Sequence, residues 1–230
     1  MMYNSTLELN KLYNSDCLEI MKNMPDNSVD LILTDPPYLI DYQSNHRKDK
    51  FDKIENDADP EFIKTYISEC YRILKNNRMA YIFTDYKTYD FFKPVFENSG
   101  FKLKNTLIWV KNNWGSGDLE GAYGHRYEMI MYGHKGRRLL TGKRYDDVLY
   151  FNRIKPGPHP TEKPIDLLEY LIINSTEENE IVFDGCAGVG TSLIAALNTK
   201  RKYIGVEIKN LYYNEAQRRL SNHNLQMRLF

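Results

Sequence analysis

Near its end the chain carries an apolar stretch, Glu180 to Asp184, that runs into a turn holding Gly185, Gly188 and Gly190. A helical pattern from Thr191 to Asn198 follows, then a second strand pattern, Tyr203 to Glu207, that ends in an acid. Strand, glycine-rich turn, helix and acid-ended strand form a βαβ unit of the nucleoside-binding kind. Its glycines let the backbone approach a ligand, and an acid about 20 residues after the turn can accept hydrogen bonds from both hydroxyls of a ribose. The plainer alternative is that Gly188 and Gly190 serve tight packing and that Glu207 is a surface acid. The position of the unit constrains the fold more than its composition does. Such a unit normally opens a doubly wound sheet, yet only about 20 residues follow Glu207. The remaining strands must therefore come from the N-terminal half.

The natural neighbour for the Glu180–Asp184 strand is the stretch Val29-Asp30-Leu31-Ile32-Leu33-Thr34-Asp35-Pro36-Pro37-Tyr38. An apolar, β-branched run stopped by proline reads as a buried strand entering a rigid turn. Asp35 precedes proline and is biased to an extended backbone. Pro36 and Pro37 have fixed φ and no backbone N–H. The turn thus presents a carboxylate, a bare carbonyl and an aromatic face, with few donors. That set suits an amino group on a flat ring; the bland alternative is a Pro-Pro stop with Tyr38 packed on the core. Ligands in open parallel sheets bind beyond the carboxyl ends of the strands where the strand order reverses. Asp35 and the glycine turn are therefore expected to share one cleft.

The other elements follow in order. Leu9 to Asn14 reads as a short strand, and Ser15 or Asp16 caps a helix through Met24, with Asp16 open to either a capping or a ligand role. Asp59-Pro60-Glu61 opens a helix whose apolar face includes Phe62, Ile63, Tyr66, Ile67, Cys70, Ile73 and Leu74. Met79 to Thr84 is a strand. Lys87 to Asn98 is a helix that Pro94 either kinks or starts. Phe101 to Val110 and Tyr127 to Tyr132 are strands, and helices run from Thr161–Pro164 to about Asn174 and from Leu211 to about Ser221. The polar stretch from Leu39 to Asp57 is long for a loop and directly follows the turn, so it can close over whatever binds there. From His134 the chain turns basic, and the charges suit either a solvated face or a nucleic-acid contact. The candidates for such a contact are Lys111, Asn112, Trp114, His125, Arg126, Lys135, Arg137 and Arg138.

A chain of 230 residues fits one α/β domain. Lys+Arg and Asp+Glu are both 31, so a nucleic-acid partner must be held by a local patch rather than by net charge. Cys17, Cys70 and Cys186 show no metal spacing and suit reduced cytosolic thiols, so no metal is expected. No run reaches the roughly 20 apolar residues of a membrane span, and Met1 to Asn10 lacks a signal-peptide core. A cytoplasmic protein of bacterial or phage origin is expected.

Three segments stand in a telling order: Asp35-Pro36-Pro37-Tyr38, then His159-Pro160-Thr161-Glu162-Lys163-Pro164, then Asp184-Gly185-Cys186-Ala187-Gly188-Val189-Gly190-Thr191 with Glu207 beyond. In this the chain resembles the β group of DNA amino-methyltransferases, over nearly its whole length. The resemblance implies a circularly permuted Rossmann-like, S-adenosylmethionine-dependent methyltransferase fold with a doubly wound, mostly parallel α/β sheet. It implies a single domain over residues 1–230, with 39–58 as a mobile substrate loop and 112–152 as a small target-recognition insertion. It also implies roles. Asp35 and the Pro36 carbonyl hold the target amine, Pro37 stiffens the turn, and Tyr38 stacks on the extruded base. Glu207 grips the cofactor ribose and Asp16 its adenine end. Asp35, Asp184, Gly185, Cys186, Gly188, Gly190 and Thr191 shape the cofactor pocket, and His159, Thr161 and Lys163 meet its methionine portion.

The sequence departs from the family pattern at Cys186, where an aromatic is usual, and at Leu39, where Asn is frequent. Asp at the head of the four-residue motif is typical of adenine-N6 enzymes, whereas cytosine-N4 enzymes more often carry Ser. The resemblance therefore implies adenine-N6 methylation of a flipped base in double-stranded DNA, with a homodimer and a cognate restriction nuclease as further candidate partners. Cytosine-N4 methylation, RNA methylation and a nucleic-acid-binding homologue without turnover are the alternatives.

Overall fold

A computed structural model describes residues 8–39, 59–114, 120–142, 144–154 and 162–227. Residues 40–58 of the expected substrate loop, His159 and Thr161 lie outside the described residues.

The elements run β1 (Lys11–Asn14), α1 (Cys17–Lys22), β2 (Val29–Thr34), α2 (Pro60–Ile73), β3 (Leu74–Thr84), α3 (Tyr89–Asn98), β4 (Lys102–Val110), β5 (Tyr127–Lys135), β6 (Val148–Tyr150), α4 (Ile165–Ser175), β7 (Ile181–Asp184), α5 (Thr191–Asn198), β8 (Lys202–Glu207) and α6 (Asn210–Met227). The strands form one sheet in the order β1-β8-β7-β2-β3-β5-β4-β6. Every pairing is parallel except those of β5 with β3 and β4.

β2 sits in the middle because its residues are apolar on both faces, as a strand covered by helices on both sides requires. Leu31 and Leu33 pack with Leu168, Leu171, Leu193 and Ala196 of α4 and α5. Ile32 packs with Met21, Ile63, Ile67 and Cys70 of α1 and α2. Full burial of each of these side chains contributes about 1.5–3 kcal/mol. α2 starts as its sequence predicts: the Asp59 side chain accepts from the Glu61 and Phe62 amides, and Pro60 is the first residue.

Several boundaries differ from the sequence expectation. Leu74 is the first residue of β3 rather than the end of α2. The polar stretch Lys75 to Arg78 belongs to the strand because Asp30, buried in β2, gathers Lys75 Nζ and Arg78 Nε at 2.9 Å each. Pro94 lies inside α3, and α6 runs on to Met227. β5 extends through His134 and Lys135, so the basic stretch begins inside the sheet. Lys135 donates to the Tyr71 carbonyl at 2.8 Å, at the carboxyl end of α2, where a cation is favoured.

Candidate active site

From β2 the chain crosses through α2 to β3 on one side. From β7 it crosses through α5 to β8 on the other. β2 and β7 are neighbours, with Leu31 opposite Val182 and Ile32 opposite Phe183. The order therefore reverses between them, and a crevice opens beyond their carboxyl ends. The two motifs meet there. Asp35, Lys163, Asp184, Cys186, Gly188 and Thr191 all line one cavity.

Hydrogen bonds fix its floor. The Thr34 hydroxyl donates to Asp184 Oδ1 at 2.8 Å and lies 2.7 Å from the Tyr66 hydroxyl. Tyr66 Oη also accepts from the Gly185 amide at 3.2 Å. Ser192 donates to Asp184 Oδ2, and the Cys186 amide donates to Oδ1 at 3.0 Å. Burial pushes the Asp184 carboxyl up to about 6, against the pull of these donors.

The glycines divide their work. A Cβ on Gly185 would sit 2.6 Å from the Tyr66 ring, so this glycine admits the aromatic pillar of α2. Gly190 has φ 79° and caps α5, and a Cβ there would meet Ala216 at 3.0 Å. The Gly188 amide instead donates to Glu207 Oε2 at 2.8 Å, while Oε1 accepts from the Lys209 amide at 2.8 Å. Glu207 is thus a buried brace of the bend rather than a surface acid. Burial raises its pKa, against the pull of the Lys209, Gly188 and Ile208 amides.

Asp16 caps α1 by accepting the Leu18 amide at 2.8 Å. Asn14 pairs with Glu207, so Asp16 stands at the same rim of the sheet. Cys186 is half-buried, and hydrogen bonding to Cys17 together with burial raises its thiol well above its usual pKa. Phe183 is wholly buried on the α1–α2 face and does not replace the missing aromatic. Thr191 donates to Glu162 Oε1 at 2.8 Å, which also accepts from Arg219 at 2.8 Å.

Across the cavity, Tyr38 donates its hydroxyl to Asp35 Oδ1, and Lys163 Nζ lies 2.6 Å from Oδ2. Lys163 also reaches Glu128 Oε2 at 3.0 Å, and Lys111 meets Glu128 Oε1 at 2.6 Å. Burial raises the Asp35 pKa, with Lys163 opposing it. Burial also works against ionised Glu128, yet Lys163 and Lys111 hold its carboxyl at about 2. Burial disfavours the Lys163 ammonium, but Asp35 and Glu128 outweigh this and raise its pKa. Pro36 and Pro37 are buried beneath the turn.

The expected nucleic-acid residues fall into two groups. Val110 pairs with Tyr127, so Lys111, Asn112, Trp114, His125 and Arg126 lie at the cleft rim. There His125 makes edge-on contacts with Tyr86 and Tyr127, and Trp114 is 69% exposed. Lys135, Arg137 and Arg138 lie at the opposite end of the sheet and do not join them. Arg138 pairs with Glu180 at 3.1 Å, and the Arg137 amide donates to Asn77. Within the expected insertion 112–152, β5 and β6 are strands of the main sheet. The sequence reading did not single out Glu128. Its one local signal is an acid at the head of a strand otherwise apolar up to Tyr132.

The profile of the N6_N4_Mtase family, described as DNA methylase, matches residues 29–154 and 141–218. The Escherichia coli (strain K12) protein YubD is 34% identical over 214 residues, covering 93% of this chain and 91% of the relative. Type II methyltransferase M.BglII of Bacillus subtilis is 29% identical, over 93% of this chain and 69% of its own. Among solved structures, an M1.HpyAVI–SAM complex superposes with a TM-score of 0.70 at 26% identity, covering 91% of this chain and 98% of the other.

Proposed function

Because the chain belongs to the N6_N4_Mtase family of DNA methylases, and is an S-adenosylmethionine-dependent DNA methyltransferase, we propose that it methylates the N6 amine of adenine in double-stranded DNA. The carrying observation is that Asp35 and the glycine bend line one cavity at the point where the strand order reverses. The Asp-Pro-Pro-Tyr form of the turn supports adenine over cytosine.

The lining fits the methyl donor. Glu207, which braces the glycine bend at the end of β8, accepts from the ribose hydroxyls, and Asp16 at the same rim of the sheet meets the adenine end. The remaining wall carries the carboxylates of Asp35, Glu162 and Asp184, with Lys163 and Arg219 paired to the first two. When bound, S-adenosylmethionine supplies an electrophilic methyl group whose leaving group is a neutral thioether. The protein places the reactants. Asp35 and the Pro36 carbonyl accept the two amine hydrogens, which leaves the nitrogen lone pair to face the methyl carbon. In-line placement of this kind is worth up to roughly 7–11 kcal/mol. Tyr38 supplies a stacking face for a base flipped from the duplex, an extrusion that costs a few kcal/mol. The rim residues Asn112, Trp114, His125 and Arg126 face the duplex. A cytoplasmic setting, a matching restriction nuclease and pairing of two copies belong to the same proposal. The type II names of the relatives support the nuclease.

The test is methyl transfer from labelled S-adenosylmethionine to duplex DNA, followed by nucleoside digestion and mass spectrometry. N6-methyldeoxyadenosine is expected, and Asp35→Ala should abolish it. N4-methyldeoxycytidine in its place would overturn the adenine assignment.

A further inference from the structure

Both oxygens of Asp35 are already engaged by side chains of the protein: Oδ1 by the Tyr38 hydroxyl and Oδ2 by the Lys163 ammonium at 2.6 Å. Lys163 Nζ also lies 5.6 Å from the centre of the Tyr38 ring and 5.2 Å from that of Phe83. A donor nitrogen on Asp35 and beside the face of Tyr38 is where an incoming amine on a flat base has to be. We propose that Lys163 is a stand-in for the target amine in the base-free enzyme, and that Glu128 is the positioning residue that takes over its ammonium when the amine arrives. The inference rests on the reading of Asp35 and Tyr38 as the amine clamp.

The geometry carries the exchange. Glu128 Oε2 is 3.0 Å from Lys163 Nζ in this structure, so the ammonium can leave Asp35 without travelling. Glu128 is itself fixed: it heads β5 opposite Trp109, and its other oxygen is held by Lys111 at 2.6 Å. Each oxygen of Glu128 therefore serves one lysine. The site is buried, and an ammonium released there with no second carboxylate would stay uncompensated, which is costly. Glu128 removes that obstacle. It keeps the charge of Lys163 balanced whether Asp35 is occupied by lysine or by substrate. The base then competes only against a partner that has somewhere to go.

The experiment uses the full chain, tritiated S-adenosylmethionine and genomic DNA from a methylation-free bacterial host. In Glu128→Gln, Asp35 is the one charged acceptor left to Lys163 among the described residues, and Lys163 holds it more firmly. The turnover number is expected to fall about 10–100-fold, while affinity for the cofactor by calorimetry and for the duplex by gel shift stays within about twofold. Glu128→Asp, which restores the carboxylate, should recover turnover to within about threefold of the wild type. Excess positive charge could destabilise the single variant. Glu128→Gln/Lys111→Met restores the charge balance and should show the same loss of turnover with a near-native melting temperature. Wild-type turnover in the double variant overturns the inference, as does a turnover loss matched by lost cofactor affinity. A wild-type chain that transfers no methyl to any DNA removes the clamp reading and this inference together. An active wild type with an equally active Glu128→Gln removes this inference alone.

Discussion

Thr34 and Asp184, 150 positions apart, share a 2.8 Å hydrogen bond at the floor of the cleft. The bond locks the end of β2 to the end of β7 and so sets the spacing between the amine-facing turn and the glycine bend. It also ties Asp184 to the stability of the fold.

Asp184 is buried, and its carboxyl is raised from 3.8 to about 6. The folded chain then binds a proton more tightly than the unfolded chain, so this group's contribution is full below about pH 4 and is lost as pH rises through about 6. The loss amounts to about 2–3 kcal/mol. Urea denaturation at several pH values should show Asp184→Asn with a flatter stability profile than the wild type across that window. Parallel profiles would show that Asp184 ionises as freely as an exposed carboxyl.

Glu207→Ala removes the proposed acceptor for the ribose hydroxyls and the brace of the Gly188 amide. Loss of two such charged hydrogen bonds, about 1.5 kcal/mol each, should weaken S-adenosylmethionine binding about 100-fold by calorimetry. Unchanged affinity would remove Glu207 from the cofactor site.

Gly133 lies far from the cleft, where a Cβ would come within 2.4 Å of the Phe96 ring and 3.0 Å of the Lys102 carbonyl. Gly133→Ala should cost about 1–3 kcal/mol through overpacking and lower the melting temperature by several degrees. The turnover of the folded fraction should not change, and scanning calorimetry with an assay at low temperature checks both.

Arg138 is spent on Glu180 at the far end of the sheet. Arg138→Ala should therefore reduce stability by about 1 kcal/mol and leave the salt dependence of DNA binding intact. Arg126→Ala, at the rim, should flatten that dependence. Filter binding across a salt series separates the two, and a flattened slope for Arg138→Ala would place the duplex at the wrong end of the sheet.

Leu39 has φ 61°, a left-handed conformation that costs a branched residue about 1–2 kcal/mol and that Asn adopts more readily. Leu39→Asn should raise stability by up to about 1 kcal/mol in a denaturant titration. A neutral or negative change would show that the leucine's packing outweighs the backbone cost.

What the sequence disclosed was what local pattern can encode. A fully buried strand has to be apolar on both faces, so β2 and its Pro-Pro stop were legible, as was the glycine bend before an acid-ended strand. Their adjacency was legible because ligands bind beyond the carboxyl ends of parallel strands where the order reverses, which lets one cleft hold both turns. Glu128 was not: one acid at the head of a strand looks like a solvent-facing end until the register opposite Trp109 and the reach of Lys163 turn it inward. The basic run after His134 misled in the opposite way. Its charges read as a surface patch, whereas Lys135 covers the end of α2 and Arg138 answers Glu180, partners that are distant in sequence. Gly185 has a packing reason that the sequence did not show, room for Tyr66.

The reversed direction of β5 brings its start beside the end of β4, where Val110 meets Tyr127 at the cleft end of the sheet. Lys111 and Asn112 tie the base of the connection to Glu128 and to the Arg153 amide, so changes in length belong beyond them. If the proposed rim reads the target, a lineage, or an engineer, can retarget such a scaffold there while the chemistry below stays constant.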